Sequence, residues 1–160
     1  MTKKIDMKKS YEFLQKKFKL PKFQNLDDDF EVSFLDYKLE DAHLLLRSIR
    51  RKMNEKVIFF CRIIEGVLYP QQATMISMVE SKQLTEEEKH SIHEFYKKLM
   101  YYERESLKLD VLPSEEQSAV YIQEVYTLWN QFRDEMHHVV EKMQKSWQHS
   151  DEEDTETFVG

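Results

Sequence analysis

Two glycines and three prolines in 160 residues constrain this chain more than any other feature. Glycine ordinarily makes up about 7 % of a globular sequence. It accepts the left-handed backbone of tight hairpins and lets a loop close around a phosphate. A chain almost without it has few means of building hairpins, phosphate loops or nucleophile elbows. Its plentiful Leu, Lys, Glu, Gln and Met favour helix by intrinsic propensity. The expectation is an all-α fold: a single-domain helical bundle of about five helices over residues 1–148, with a disordered acidic C-terminal tail over residues 149–160.

The first helix is read over residues 7–20, where Met7, Tyr11, Leu14 and Phe18 fall at spacings of 4, 3 and 4 to make one apolar stripe with a lysine-rich back. Pro21 stops it. Residues 22–35 include "FEVSF", which alternates like a strand but has no second strand to pair with, and they are read as an extended linker. Core helices then fill residues 36–148. The second runs from Asp36 to Gly66, a residue suited to a helix end. Pro70 opens a short third helix that reaches Lys82. Thr85 and Glu88 form a capping box that opens a fourth, reaching Leu109. Ser114 and Gln117 stand in the same relation and open a fifth, whose stripe of Val125, Trp129, Phe132, Met136, Val139, Met143 and Trp147 shares one sector.

The single cysteine, Cys61, cannot form an internal disulfide, and the first residues lack the apolar stretch of a signal peptide, which fits a cytoplasmic location. The apolar run "VIFFCRII" spans eight residues and contains Arg62, whereas a membrane helix takes about 20, so no membrane contact is expected. Net charge is −6, with lysines concentrated in the first 22 residues and five acids in the last ten. In the second helix Ala42, Leu46, Ile49, Met53, Phe60, Ile64 and Val67 share a sector, while Ile58, Phe59 and Ile63 fill the remaining faces past Val57. The reading is that this later half is enclosed by neighbouring helices or by a partner, and that the arginine-rich first half meets water.

Three readings of function follow. The first is a non-enzymatic helical protein–protein interaction module, such as an adaptor or a subunit of a larger assembly, with Ile58, Phe59 and Ile63 as core or contact material and another protein or a second copy of itself as partner. No catalytic group is assigned and no cofactor is implied. The second is a nucleic-acid-associated protein. Arg47, Arg50 and Arg51 on the second helix, and Lys97, Tyr101 and Arg104 on the fourth, supply cations and a stacking ring, provided the two helices present them on one side. The third is a metal-dependent enzyme. "EDAH" (Glu40, His43) and "EMHH" (Glu135, His138) have the Glu-x-x-His spacing with which ferritin-like carboxylate proteins bind two metals, and Glu103 falls inside an apolar sector. On helical wheels, however, Glu40 and His138 turn away from the apolar sectors, which favours a solvated surface. His90 and His93 read as a surface pair, and Cys61 as buried packing.

Overall fold

The computed structural model describes residues 6–35 and 44–148, and among them the protein is all-helical, with six α-helices and no strand. These are α1 (Met7–Phe18), α2 (Phe23–Phe30), α3 (Leu45–Leu68), α4 (Met75–Ser81), α5 (Glu86–Val111) and α6 (Glu115–Ser146). No described helix is long and apolar enough to cross a membrane. The tail from residue 149 and the segment 36–43, where the second helix was expected to begin, lie outside the described residues.

The sixth helix is α2, in the stretch read as extended linker. Phe23, Leu26 and Phe30 recur at helical spacing; Leu26 and Phe30 are buried, and Phe23 meets the Tyr11 ring edge-on at 5.4 Å. The alternation in "FEVSF" begins at the end of that helix and belongs to a 3-10 turn over Val32–Leu35 that buries Val32. Burying an aromatic and two aliphatic side chains outweighs a local period-2 pattern.

Helix ends show what a glycine-poor chain does instead. Asp6 caps α1, its carboxylate accepting from the Lys9 N–H at 3.2 Å. At the other end Lys19 takes the left-handed conformation, with φ 54°, and Glu31 does the same after α2. That region strains a residue carrying a Cβ, and glycine usually fills it. Gly66 was read as the end of α3, yet the helix continues through it to Leu68. The expected third helix is a 3-10 turn over Pro70–Gln72 followed by the separate α4.

The chain divides into two compact units, Met1–Phe59 with Leu99–Trp129, and Phe60–Lys98 with Asn130–Gly160. In the first, Tyr11, Leu26, Leu46, Ile49, Met53, Tyr121 and Ile122 form the centre of the core, and Tyr11 donates its hydroxyl to the Pro21 carbonyl at 2.5 Å, tying α1 to the link that leads into α2. In the second, Cys61, Ile64, Val67, Ile92, Phe95, Met136 and Val139 are buried, and Phe95 stacks on Phe132 at 4.5 Å.

Candidate functional site

In the second unit α4 is built inside out. Its one buried residue is Ser81, while Met75, Ile76 and Met78 are 84 %, 57 % and 45 % exposed. The cause lies where α3 ends. Gly66 and Ser77 meet here: a Cβ on Gly66 would stand 2.8 Å from Ser77 Oγ and 3.5 Å from its Cβ, so the two small residues let α4 pack close against the end of α3. Ser81 then donates its hydroxyl to the Val67 carbonyl at 2.7 Å, satisfying an acceptor in the last turn of α3. With serines spent on the inner side, the sequence "MISM" has only outward positions left for its large side chains. Beside this helix Trp147 donates its indole N–H to Glu80 at 3.0 Å. Tyr69, just before the 3-10 turn, is exposed and meets the rings of His93 and Tyr96 edge-on.

In the first unit the arginine cluster has an arrangement that helical spacing alone did not reveal. Arg50 is completely buried. Its guanidinium donates to the Ser106 carbonyl at 2.8 Å, to Ser106 Oγ at 2.5 Å and to Asp110 Oδ1 at 2.5 Å. Arg51, which is exposed, donates to the same Asp110 oxygen at 3.0 Å. Partial burial pulls the Asp110 carboxyl up, but the hydrogen bonds and charges of the two arginines prevail and hold it below its ordinary value. Arg50 is therefore a buried tie between α3 and the end of α5, closed to a phosphate outside the protein. This corrects the reading of a water-facing first half of α3, where Leu45, Leu46, Ile49 and Met53 are buried as well. The later half is less enclosed than expected: Ile58 and Ile63 are half-buried and Phe59 is 59 % exposed.

Three lysines of α5 are matched by acids one turn earlier. Lys89 pairs with Glu86 at 3.7 Å, Lys97 with Glu94 at 2.7 Å and Lys108 with Glu105 at 3.5 Å. The Lys97 hydrogen bond is the leading cause that holds the Glu94 carboxyl below its ordinary value. Arg104 lies 3.3 Å from Glu103, which is half-buried beside it, and Tyr101 is exposed. Of the five cations and one ring proposed for nucleic acid, Lys97 belongs to the second unit and the other five residues to the first.

The capping box forms as read. The Glu88 N–H donates to Thr85 Oγ1 at 3.2 Å, and the Thr85 N–H to Glu88 Oε2 at 2.8 Å. Glu88 also accepts from Lys142 at 2.6 and 2.7 Å and sits 3.1 Å from His138 Nε2. Those bonds, Lys142 first and the Thr85 amide next, lower its pKa to about 2. His138 thus faces Glu88 rather than Glu135. Glu40 and His43 lie outside the described residues, and among the described residues no three of His, Cys, Asp and Glu gather as metal ligands. His93 is half-buried with its Nε2 3.2 Å from the Tyr69 hydroxyl, His90 is exposed, and Cys61 is buried.

No protein-family model, curated protein or solved structure matches the chain. The methionines of "MISM" suit either an adaptable surface or core filling, and "MISMVES" carries no local mark of which side packs. The available signal was the pairing of Gly66 with the serines of the next helix, a small-residue contact that binary hydrophobic patterning reads in the wrong direction.

Proposed function

We propose that this protein is a non-enzymatic helical interaction module, an adaptor or a subunit of a larger assembly, and that the outward face of α4 is its contact. The observation that carries this reading is the inverted burial of that helix, with serines inside and Met75, Ile76 and Met78 outside. Exposed apolar side chains scattered singly need no explanation, but three on one short helix without an intervening charge are contact material. Methionine suits such a surface because its unbranched, polarisable side chain repacks against different partners. Covering a side chain of this size contributes about 1.5–3 kcal/mol. Three of them reach the scale of an interface hot spot. The end of α5 supports the same reading in the first unit, where Leu107, Val111 and Leu112 are exposed.

A nucleic-acid role has less support. Arg50 is buried, Arg51 shares Asp110, and Lys97, Arg104 and Lys108 each stand beside a glutamate, so the charge offered to phosphates is largely met within the protein.

A photo-crosslinking residue at position 75, in cells and in the purified protein, tests the proposal. The expected result is a discrete adduct, either with a second copy or with another protein, that disappears in Ile76→Asp while the melting temperature of that variant stays within about 2 °C, since the residue is at the surface. A protein that stays monomeric in sedimentation and gives no adduct, or one whose adduct survives Ile76→Asp, would overturn it.

A further inference from the structure

The outer face of α1 is a surface that the packing of that helix leaves unused. Met7, Tyr11 and Leu14 turn inward and are buried, while on the opposite side Phe13 is 70 % exposed. Lys9 precedes it by four residues, and Lys16 and Lys17 follow it by three and four, so one helix face holds an aromatic ring among three ammonium groups. Lys9 lies 3.9 Å from Asp6 and Lys17 3.6 Å from Glu115; Lys16 has no ion pair among the described residues. A single exposed phenylalanine is ordinary. Here, however, the same unit also offers a surface of opposite charge.

That surface is a groove of about 410 Å³ between the end of α2 and the middle of α3. Asp28, Asp29, Glu31 and Glu55 line it, together with the largely exposed ring of Phe59. Its two lysines are both engaged inside the protein. Lys52 lies 3.2 Å from Glu55, and Lys56 donates to the Asp29 backbone carbonyl at 2.5 Å with its ammonium 4.0 Å from the centre of the Trp129 ring. Four carboxylates against two ammonium groups leave the groove negative.

We infer that the lysine face of α1 docks in the acidic groove of a second copy of the chain, with Phe13 entering beside Phe59. The opposite charges attract and set the register, and the two rings supply apolar contact. Phe13 and the groove both lie open in the single chain, so neither covers the other and the pairing is between copies. In a two-fold dimer each copy gives its helix and its groove, so the contact is made twice and no face is left to recruit a third copy. The volume agrees. Pockets for drug-sized ligands run to about 300–1,000 Å³, and a groove of about 410 Å³ takes a ring and its neighbouring side chains rather than a whole helix. This contact is distinct from the outward face of α4, which belongs to the second unit.

The test is sedimentation of the full chain over a concentration series, at low and at high salt, with charge-reversal variants. The wild type should dimerise, and salt should weaken the dimer because the charges lie at the surface. Lys16→Glu and Glu55→Lys should each weaken it about tenfold or more, since like charges then meet twice in every dimer. Mixing these two variants should restore the dimer: the reversed helix meets the reversed groove, and the unchanged helix meets the unchanged groove. Lys8→Glu, an equal change of charge on the same helix but off the Phe13 face, should weaken dimerisation clearly less. All three positions are exposed, so the variants keep the fold, which melting curves verify. A wild type that stays monomeric at every concentration, equal losses in Lys8→Glu and Lys16→Glu, or a mixture that stays monomeric would overturn the inference. So would a dimer that persists in both reversal variants and is lost in Ile76→Asp, an outcome that leaves the α4 contact standing.

Discussion

Replacing Glu88 by glutamine keeps the reach of the capping box but removes the charge that Lys142 and His138 meet. In the folded protein the carboxyl titrates at about 2 instead of 4.5. At 1.36 kcal/mol per pH unit that displacement sets an upper bound of about 3 kcal/mol. The side chain is 23 % exposed and its bonds lie near solvent, so screening brings the expected contribution nearer ~1 kcal/mol. The sign follows from the lowered folded pKa: the stabilisation is fully present above pH 4.5 and is lost as pH falls from there toward 2. For a chain of this length ~1 kcal/mol moves the thermal midpoint by about 2–4 °C. Melting curves by circular dichroism at pH 6 and pH 2.5 should show Glu88→Gln below the wild type by that amount at pH 6, with the gap closing at pH 2.5. An equal gap at both pH values would refute the electrostatic account and leave packing as the cause. Lys142→Met should reproduce the pattern, and combining it with Glu88→Gln should cost less than the two separate effects added together.

Two more measurements bear on the fold. Lys19→Gly places glycine at a left-handed helix end. It should raise stability by ~0.5–1 kcal/mol, because relief of about 1–2 kcal/mol of backbone strain exceeds the added entropy of the unfolded chain; a lower urea midpoint would contradict this. Met53→Ala should cost ~2–5 kcal/mol, since the side chain is wholly buried, whereas Phe59→Ala, from a side chain mostly in water, should cost under ~1 kcal/mol. Comparable losses at the two positions would mean that Phe59 is covered in solution.

Much of the fold was legible because it depends on neighbours in sequence. Glycine scarcity and propensity dictate helix. The Thr85–Glu88 box and the Ser114 cap mark where α5 and α6 begin, and 3.6-residue spacing picks out Met7, Tyr11 and Leu14, Ile49 and Met53, and Met136 and Val139 as buried. Residues 23–35 were misread since two short periodicities overlap there, and burial of Leu26 and Phe30 decides between them. Neither candidate site could be found in the same way. An arginine three residues from another on a polar-looking stretch reads as solvated until Ser106 and Asp110, more than fifty residues away, accept its hydrogen bonds. Methionines on a short helix fit a core or an adaptable surface equally well until Gly66 and Ser77 show that the close contact lies on the opposite side. Local chain chemistry fixes backbone conformation because hydrogen bonds and caps span a few residues. Which face is hidden, and which donors find an acceptor, depends on what distant segments bring to the same place, and only the tertiary structure holds that.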